Sequence, residues 1–284
     1  MQVDWIPGNW REGVNPEKVE ELLNADREKQ IRAVCVVHNE TATGVTSDIS
    51  SIRKALDRTD HPALFMVDTI SSLASMDYRH DEWKVDVTVA GSQKGLMLPP
   101  GLSFNAVSDK ALEASEKAQL PQAYWNWQEM LNANEQSVFP YTPATNLLYG
   151  LKEALILLKE EGLDQVFARH RQLAEATRKA VQGWNLEMNA LHFHEFSDSL
   201  TAVRMPEGHD ADQFRKVVLE NFNVSLGNGL GKIHGKVFRI GHLGDFNAPM
   251  LLGTLGAIEM GLELARIPFK PEGVRAAMDE LVKN

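Results

Sequence analysis

Three short apolar runs, each followed at once by a polar loop, constrain the fold of this chain more than any other feature. The runs lie at residues 33–38, 63–68 and 85–90, and helical patterns alternate with them. This alternation is typical of a parallel sheet covered by helices, and the apolar composition predicts strands buried on both faces. Between the first two runs, Ser47 and Asp48 precede a helical pattern as a plausible cap. We therefore predict an α/β fold.

The loops after the three runs begin NETATG, DTISS and GSQK, and all three carry polar side chains. Loops at the carboxyl ends of parallel strands gather at one edge of a sheet, where such folds bind ligands. The sequence therefore predicts a ligand site at this edge.

The rest of the chain predicts a further strand and then a smaller α+β unit. SFNAV at 103–107 reads as a strand, and long helices are predicted at 145–161 and 163–184. Later elements are strands at 200–205 and 236–242, a helix at 210–222 and two helices from 249 onward. We predict a large domain at 1–161, followed by a bridging helix and a small C-terminal domain at 162–284.

Charge and cysteine content narrow the partners and the compartment. The formal charge of −10 argues against nucleic acid, which requires clustered Lys and Arg, so a small molecule is the better partner. The single cysteine, Cys35, lies in the first apolar run, where it should be buried and reduced. With neither a membrane-spanning run nor a signal-like start in the sequence, we predict a cytoplasmic protein.

Lys94 and Asp68 are the candidates for chemistry. Each follows or ends an apolar strand, so the two should meet at one edge of the sheet. A partly desolvated lysine is a usable nucleophile, and in pyridoxal phosphate enzymes a Lys carries the cofactor while an acid holds its pyridine nitrogen protonated. Taken alone, Lys94 reads as a solvated surface lysine and Asp68 as a helix cap.

Six separated segments resemble the serine-glyoxylate and bacterial aspartate-glyoxylate aminotransferases, of class V and fold type I. The likeness runs from about residue 34 to 264 in the same order, through HNETATGVTSD, HPALFMVDTISSLA, DEWKVDVTVAGSQKGLMLPPG, FPYTPATNLLYGL, GLDQVFARHRQLAEATR and GKVFRIGHLG. The resemblance implies the fold type I architecture of these pyridoxal phosphate enzymes, a mostly parallel sheet sandwiched by helices. It also makes residues 1–161 the cofactor-binding domain.

The resemblance also implies roles for individual residues. Lys94 would bind the cofactor through a Schiff base and carry protons, and Asp68 would pair with the pyridinium nitrogen. Thr41 would hydrogen-bond the cofactor near its ring hydroxyl, Gln93 would reach its phosphate, and Ser92 is a weaker phosphate candidate.

Two further roles concern the substrate and a second subunit. Arg239 would bind the α-carboxylate of the amino acid and of glyoxylate, which a guanidinium matches bidentately. Thr142 would reach the cofactor phosphate of the other subunit in a homodimer with shared active sites. Without the resemblance, Arg239 reads as an exposed ion-pair partner and Thr142 as a turn residue.

Three other signals are discounted. Residues 227–232, GNGLGK, lack the spacing of a nucleotide-binding loop and predict a flexible loop near the substrate entrance. His192, His194 and Glu195 are too few for a convincing metal site, so no metal is predicted. The aromatic residues at 124–127 could stack on a ligand, although packing in the core or between subunits explains them as well.

The resembled family begins with an N-terminal stretch that supplies part of the phosphate site and of the dimer surface. This chain starts inside the family pattern, so we expect either a fragment of a longer product, which we favour, or a complete but degenerate protein. Either way we expect weak cofactor binding or poor solubility of the 284 residues. A tight, stoichiometric absorbance titration with pyridoxal phosphate at about 420 nm would refute that expectation.

The predicted function is transamination from serine or aspartate to glyoxylate, which forms glycine and a 2-keto acid; the resemblance does not separate the two donors. Another fold type I reaction such as desulfuration is disfavoured, since a desulfurase needs a reactive cysteine on a mobile loop. A non-catalytic fragment that acts only as an assembly partner is the third alternative.

Overall fold

The computed structural model describes residues 2–283 and has an α/β architecture. The order of strands in its larger sheet is β1 (Ala33–Val37), β4 (Leu64–Asp68), β5 (Val87–Gly91) and β6 (Ser103–Val107). The first three are parallel, and β6 runs antiparallel to β5. The predicted mostly parallel sheet and its four strands are confirmed, with ends that differ by one or two residues.

Two helices, α1 (Pro16–Ala25) and α2 (Ile49–Thr59), cover one face of this sheet. The predicted cap of α2 is present, because the Asp48 side chain accepts a hydrogen bond from the Ser51 amide at 3.0 Å. Val36, Phe65 and Val67 are buried against these helices. The buried side of the sheet thus holds the strand ends in a fixed register.

The predicted burial of Cys35 is wrong. Strand β1 lies at the edge of the sheet, and Cys35 and Val37 are exposed whereas Val36 is buried. Successive side chains of a strand point to opposite faces, so only one face of β1 is covered by the described residues. An apolar run predicts a strand, but it does not tell whether both of its faces are packed.

A hairpin follows the first strand of the large sheet, and four helices follow its last strand. Strands β2 (Asn39–Glu40) and β3 (Val45–Thr46) form the hairpin directly after β1. The helices are α3 (Asp109–Glu116), α4 (Trp127–Glu135), α5 (Thr145–Glu161) and α6 (Leu163–Gly183). The two long helices agree with prediction. Tyr124 and Trp125 are 59% and 78% exposed, so packing in the core of this chain does not explain them.

The C-terminal part has an antiparallel sheet with the strand order β7, β8, β10, β9 and is α+β as predicted. Its elements are β7 (Glu187–Met188), β8 (Leu200–Arg204), α7 (Ala211–Phe222), β9 (Gly227–Asn228), β10 (Val237–Gly241), α8 (Ala248–Leu264) and α9 (Gly273–Leu281). Trp184 is fully buried in its core and donates a hydrogen bond to Glu259 at 2.7 Å. This core is separate from those of the large sheet, although Val166 of α6 still packs with Leu98 and Leu158, and the division after residue 161 stays a prediction. The segment before α1 also contacts the C-terminal part, because Arg11 Nε donates a hydrogen bond to the Asn189 carbonyl at 2.7 Å.

The predicted flexible loop at 227–232 is wrong. Gly227 and Asn228 pair with β10 as its edge neighbour, and a 3₁₀ turn follows at Gly231–Ile233. Glycine-rich composition predicts a loop, whereas here the absence of side chains lets a short strand approach β10 closely.

Candidate active site

Lys94 and Asp68 lie at the same edge of the large sheet, as the sequence predicts. Strands β4 and β5 are parallel neighbours, and Asp68, the last residue of β4, is in register with Val89. Lys94 follows Gly91, the last residue of β5, by one short turn. Both functional groups therefore belong to the carboxyl ends of adjacent strands.

The turn that carries Lys94 is held close to the loop after β4. A Cβ atom at Gly95 would overlap the Leu73 carbonyl oxygen and lie 2.6 Å from Ser75 Oγ. Only glycine permits this approach. The Lys94 side chain is consequently half-buried beside the loop that begins at Asp68.

Burial and charge both favour the neutral amine of Lys94. Desolvation lowers the pKa of Lys94, and the positive charge of Arg239 lowers it further. Among residues 2–283, no acceptor takes a hydrogen bond from Lys94 Nζ within ordinary distance. The amine is thus suited to act as a nucleophile or a proton carrier.

One oxygen of the Asp68 carboxylate remains available. Its Oδ1 accepts a hydrogen bond from the Ile70 amide at 2.8 Å. Within the described part of the chain, no group donates to Oδ2. Asp68 is therefore held in place by its own loop while it can still accept a hydrogen bond from a ligand nitrogen.

Thr41 lies in the β2–β3 hairpin and joins three segments of the site. Its Oγ1 forms a hydrogen bond with Ser71 Oγ, and its carbonyl oxygen accepts one from Arg239 Nη1 at 2.7 Å. The Ser71 carbonyl oxygen in turn accepts hydrogen bonds from Asn39 Nδ2 at 3.2 Å and Ser199 Oγ at 2.6 Å. These bonds connect the loops after β1 and β4 to the small domain.

Arg239 extends from β10 of the small domain toward the loops of the large one. Its Nε is buried and has no hydrogen-bond partner among the described residues. Burial lowers the pKa of Arg239, and the charge of Arg215 lowers it further. A partly desolvated guanidinium with unused donors is suited to bind a carboxylate.

The remaining predicted residues differ in their surroundings. Gln93 is exposed, and its Oε1 lies 2.9 Å from the position that a Cβ of Gly91 would take. Ser92 is fully buried, where its hydroxyl donates to the Pro99 carbonyl at 2.8 Å and accepts from the Leu102 amide at 3.2 Å. Both hydrogen bonds of the Ser92 hydroxyl therefore stabilise the turn, and its role toward the phosphate stays a prediction.

Thr142 is exposed and lies on the segment that leads into α5. Among residues 2–283, it shares no hydrogen bond with the other predicted site residues. The structure brings Lys94, Asp68, Thr41 and Arg239 to one region and leaves Thr142 on an open surface.

Sequence reasoning missed two groups that the structure shows beside the site. Ser71 belongs to the DTISS loop, which was recognised as polar, but nothing in its pattern distinguishes Ser71 from its neighbour Ser72. His38 ends the first apolar run, and its Nδ1 lies 2.9 Å from Ser72 Oγ. Burial lowers the pKa of His38 to about 4, so this ring is neutral near pH 7.

Two other features of the described residues bear on the kind of site. The part of the chain that the structure describes contains no cluster of three His, Cys, Asp or Glu side chains arranged to hold a metal ion. None of its helices combines the length and the apolar character that crossing a membrane requires.

Comparison with known proteins identifies relatives across nearly the whole chain. Residues 1–239 match the family model described as aminotransferase class-V. The chain is 49% identical to a serine–glyoxylate aminotransferase of Methylorubrum extorquens over 97% of its length and 70% of the relative. It is 44% identical to an L-aspartate–glyoxylate aminotransferase of Paracoccus denitrificans over 98% of its length and 71% of that protein.

A solved structure gives the same result for the fold. The crystal structure of pyridoxamine–pyruvate aminotransferase from Mesorhizobium loti superimposes with a TM-score of 0.89 at 31% identity. The match covers 97% of this chain and 71% of that one. The fold predicted for the chain is therefore shared with this transaminase.

Proposed function

The chain belongs to the class-V aminotransferase family, and from this membership we propose that it transfers the amino group of serine or aspartate to glyoxylate. The products are glycine and hydroxypyruvate or oxaloacetate. Relatives at 49% and 44% identity carry these two activities in their names. The structural observation that carries the proposal is the position of Lys94 and Asp68 at the ends of adjacent parallel strands.

Pyridoxal phosphate fits the groups at this edge. Lys94 offers an amine with a lowered pKa, and Asp68 offers a free oxygen on a carboxylate fixed by Ile70. When bound, the cofactor supplies an aldehyde that takes up the amino group and a ring that withdraws electrons from the bond being broken. We assign the attachment to Lys94 Nζ and the contact with the ring nitrogen to Asp68 Oδ2.

Further contacts with the cofactor follow from the same arrangement. Thr41 is proposed to hydrogen-bond near the ring hydroxyl, since its side chain lies on the loop that faces Ser71. Gln93, next to Lys94 and exposed, is proposed to reach the phosphate. The hydroxyl of Ser92 makes two hydrogen bonds to backbone groups, which favours Gln93 over Ser92 for this contact.

Lys94 is also the proposed proton carrier. A lowered pKa increases the fraction of neutral amine near pH 7, and only the neutral amine can accept a proton. In each half-reaction Lys94 Nζ would take a proton from one carbon and deliver it to another: from the α-carbon of the amino donor to the cofactor in the first, and from the cofactor to the α-carbon that becomes glycine in the second. The same side chain thus acts first as a base and then as an acid.

Arg239 is proposed to bind the α-carboxylate in both half-reactions. Serine, aspartate and glyoxylate share this carboxylate, so one guanidinium can serve all three. The buried Nε without a partner and the lowered pKa of Arg239 indicate a guanidinium held away from bulk water, where a charge-assisted hydrogen bond is strong.

We further propose a homodimer in which Thr142 contacts the cofactor phosphate of the other subunit. Thr142 lies in an exposed apolar region, and the neighbouring Phe139, Tyr141 and Tyr149 are 54%, 44% and 76% exposed. Burial of such side chains between subunits is favourable. The sole cysteine supports a reducing compartment, and we propose the cytoplasm.

Incubation of the purified chain with pyridoxal phosphate, glyoxylate and either serine or aspartate tests the proposed function. We expect glycine together with hydroxypyruvate or oxaloacetate, both measured by chromatography, and none without the cofactor. Failure to form glycine from either serine or aspartate would contradict the proposal. Sedimentation analysis tests the dimer separately.

A further inference from the structure

Gly227 and Arg239 lie directly opposite each other in the antiparallel pair of β9 and β10. A Cβ atom at Gly227 would lie 3.0 Å from Arg239 Cβ, 3.0 Å from its Nε and 3.3 Å from its Cζ. Opposite side chains on a sheet share the same face, so the Arg239 side chain lies across the bare backbone of Gly227.

The need for glycine at 227 comes from Arg239 and not from the backbone. The φ angle of Gly227 lies outside the left-handed region, so alanine can adopt its backbone conformation. Gly229 differs, because a Cβ there would overlap the Ile233 carbonyl oxygen of the neighbouring turn. Of these two glycines, Gly227 is the one whose added side chain would meet the guanidinium.

The other side of the guanidinium is held by the large domain. Arg239 Nη1 donates to the Thr41 carbonyl at 2.7 Å, while Nε is buried without a partner. Arg239 is therefore confined between the backbone of β9 and the hairpin that carries Thr41. A side chain at 227 would force Arg239 to move by a few tenths of an ångström toward that hairpin, which would strain its bond to Thr41.

We infer that Gly227 is a positioning residue for the substrate carboxylate, since it lets Arg239 lie flat across β9 with its terminal nitrogens directed to the site. The inference rests on the proposed function, because the carboxylate is that of the amino donor and glyoxylate. A Cβ at Gly227 would meet atoms of Arg239 first, so a substitution there should affect substrate affinity directly and the cofactor site only through Arg239.

Kinetics of Gly227→Ala, with Gly253→Ala as the matched control, test this inference. A Cβ at Gly253 in α8 meets nothing within 4 Å. We expect Gly227→Ala to raise KM for glyoxylate and for the amino donor about tenfold, with kcat changed less than about threefold. Gly253→Ala should behave as the unsubstituted chain, and both variants should still bind the cofactor when it is supplied in excess.

A double variant separates an effect through Arg239 from a general one. In the Arg239→Ala background, Gly227→Ala should change KM by less than about twofold, because Nε and Cζ are gone and only the contact with the Cβ at position 239 remains. An equal loss in both backgrounds would overturn the inference, and so would an unchanged KM in Gly227→Ala while Arg239→Ala raises it. Should Gly227→Ala fail to fold, recovery of folding in the double variant supports the inference and continued failure contradicts it.

Equilibrium binding distinguishes this inference from the proposed function. Glycolate has the carboxylate of glyoxylate but cannot be transaminated, so its affinity can be measured by calorimetry without turnover. We expect Gly227→Ala to weaken glycolate binding about tenfold. If the chain shows no transaminase activity but Gly227→Ala still weakens glycolate binding, the proposed function is refuted and the inference on Gly227 stands. If the chain is active but Gly227→Ala leaves glycolate binding unchanged, the inference on Gly227 is refuted and the proposed function stands.

Discussion

Arg239 Nη1 donates a hydrogen bond of 2.7 Å to the carbonyl oxygen of Thr41, a residue 198 positions earlier in the chain. The bond joins the proposed carboxylate-binding residue of the small domain to the proposed cofactor-binding hairpin of the large one. Ser71 extends this connection, since it bonds both Thr41 and Ser199. The residues proposed to contact substrate and cofactor consequently belong to one hydrogen-bonded unit.

Arg239→Ala should weaken substrate binding more than it slows the chemical step. The loss of a charge-assisted hydrogen bond corresponds to about 1.5–3 kcal/mol, which amounts to a rise in KM of about 10- to 150-fold. Steady-state kinetics with varied glyoxylate measure it. Arg275→Ala, at an exposed arginine of α9, is the control and should leave KM unchanged. A normal KM in Arg239→Ala would contradict the role of Arg239.

The reaction of Lys94 with pyridoxal phosphate should depend on Arg239 through charge. The pKa of Lys94 is lowered by burial and by Arg239, so removal of that positive charge should raise it. In Arg239→Gln, the rise of the capture rate with pH should therefore shift to higher pH. Initial absorbance changes across a pH series report the shift, with Arg275→Gln as control. An unchanged pH dependence, or a shift to lower pH, would contradict the proposed action of the Arg239 charge on Lys94.

Ser71→Ala and Ser199→Ala should have different effects although both residues belong to the same unit. Ser71→Ala removes the partner of Thr41 Oγ1 and should weaken cofactor binding by about 0.5–1.5 kcal/mol, or about 2- to 12-fold. Ser199→Ala leaves that bond and removes one to the Ser71 carbonyl, so it should mainly lower the free energy of unfolding. Cofactor titration and thermal melting of both variants measure the difference. Equal cofactor affinity in Ser71→Ala and the unsubstituted chain would exclude the proposed role of Ser71.

Acid should destabilise the chain through His242. This ring is fully buried, with Nε2 3.0 Å from Thr201 Oγ1 and Nδ1 3.1 Å from the Asp198 carbonyl. Burial, and then the charge of Arg178, lower the pKa of His242 to about 3 from an ordinary value of 6.5. The unfolded chain therefore binds a proton at higher pH than the folded one, and stability falls as the pH decreases from 6.5 toward 3.

This contribution amounts to about 2 kcal/mol lost between pH 7 and pH 5. Denaturant unfolding at a series of pH values measures the slope, which His242→Gln should reduce. His194→Gln, at an exposed histidine, is the matched control and should retain it. An identical slope in His242→Gln would show that protonation of other groups governs acid unfolding.

The sequence predicted the parts of the fold that depend on local pattern. The apolar runs at 33–38, 63–68 and 85–90 predicted parallel strands. From this prediction it followed that Lys94 and Asp68 lie at one edge of the sheet, as they do. Helix α5 was predicted with its observed ends because Pro143 precedes it and Gly162 follows it. Such features are encoded within a few residues of where they act.

Features that depend on contacts between distant segments could not be predicted. The exposure of Cys35 depends on what covers the second face of the sheet, and the contact of Arg239 with Thr41 joins two domains. Gly227 was predicted to belong to a flexible loop, because composition does not reveal that an arginine lies opposite it. The buried hydrogen bonds of Ser92 likewise follow from the path of its turn.

Identification of the residue that holds the cofactor tests the central claim most directly. Reduction with borohydride in the presence of pyridoxal phosphate fixes the cofactor to the lysine that carries it, and mass spectrometry of the peptides then locates that lysine. We predict modification of Lys94 in the peptide that contains GSQKG, and its loss in Lys94→Ala together with all transamination. Modification of a different lysine, or full turnover in Lys94→Ala, would contradict the account.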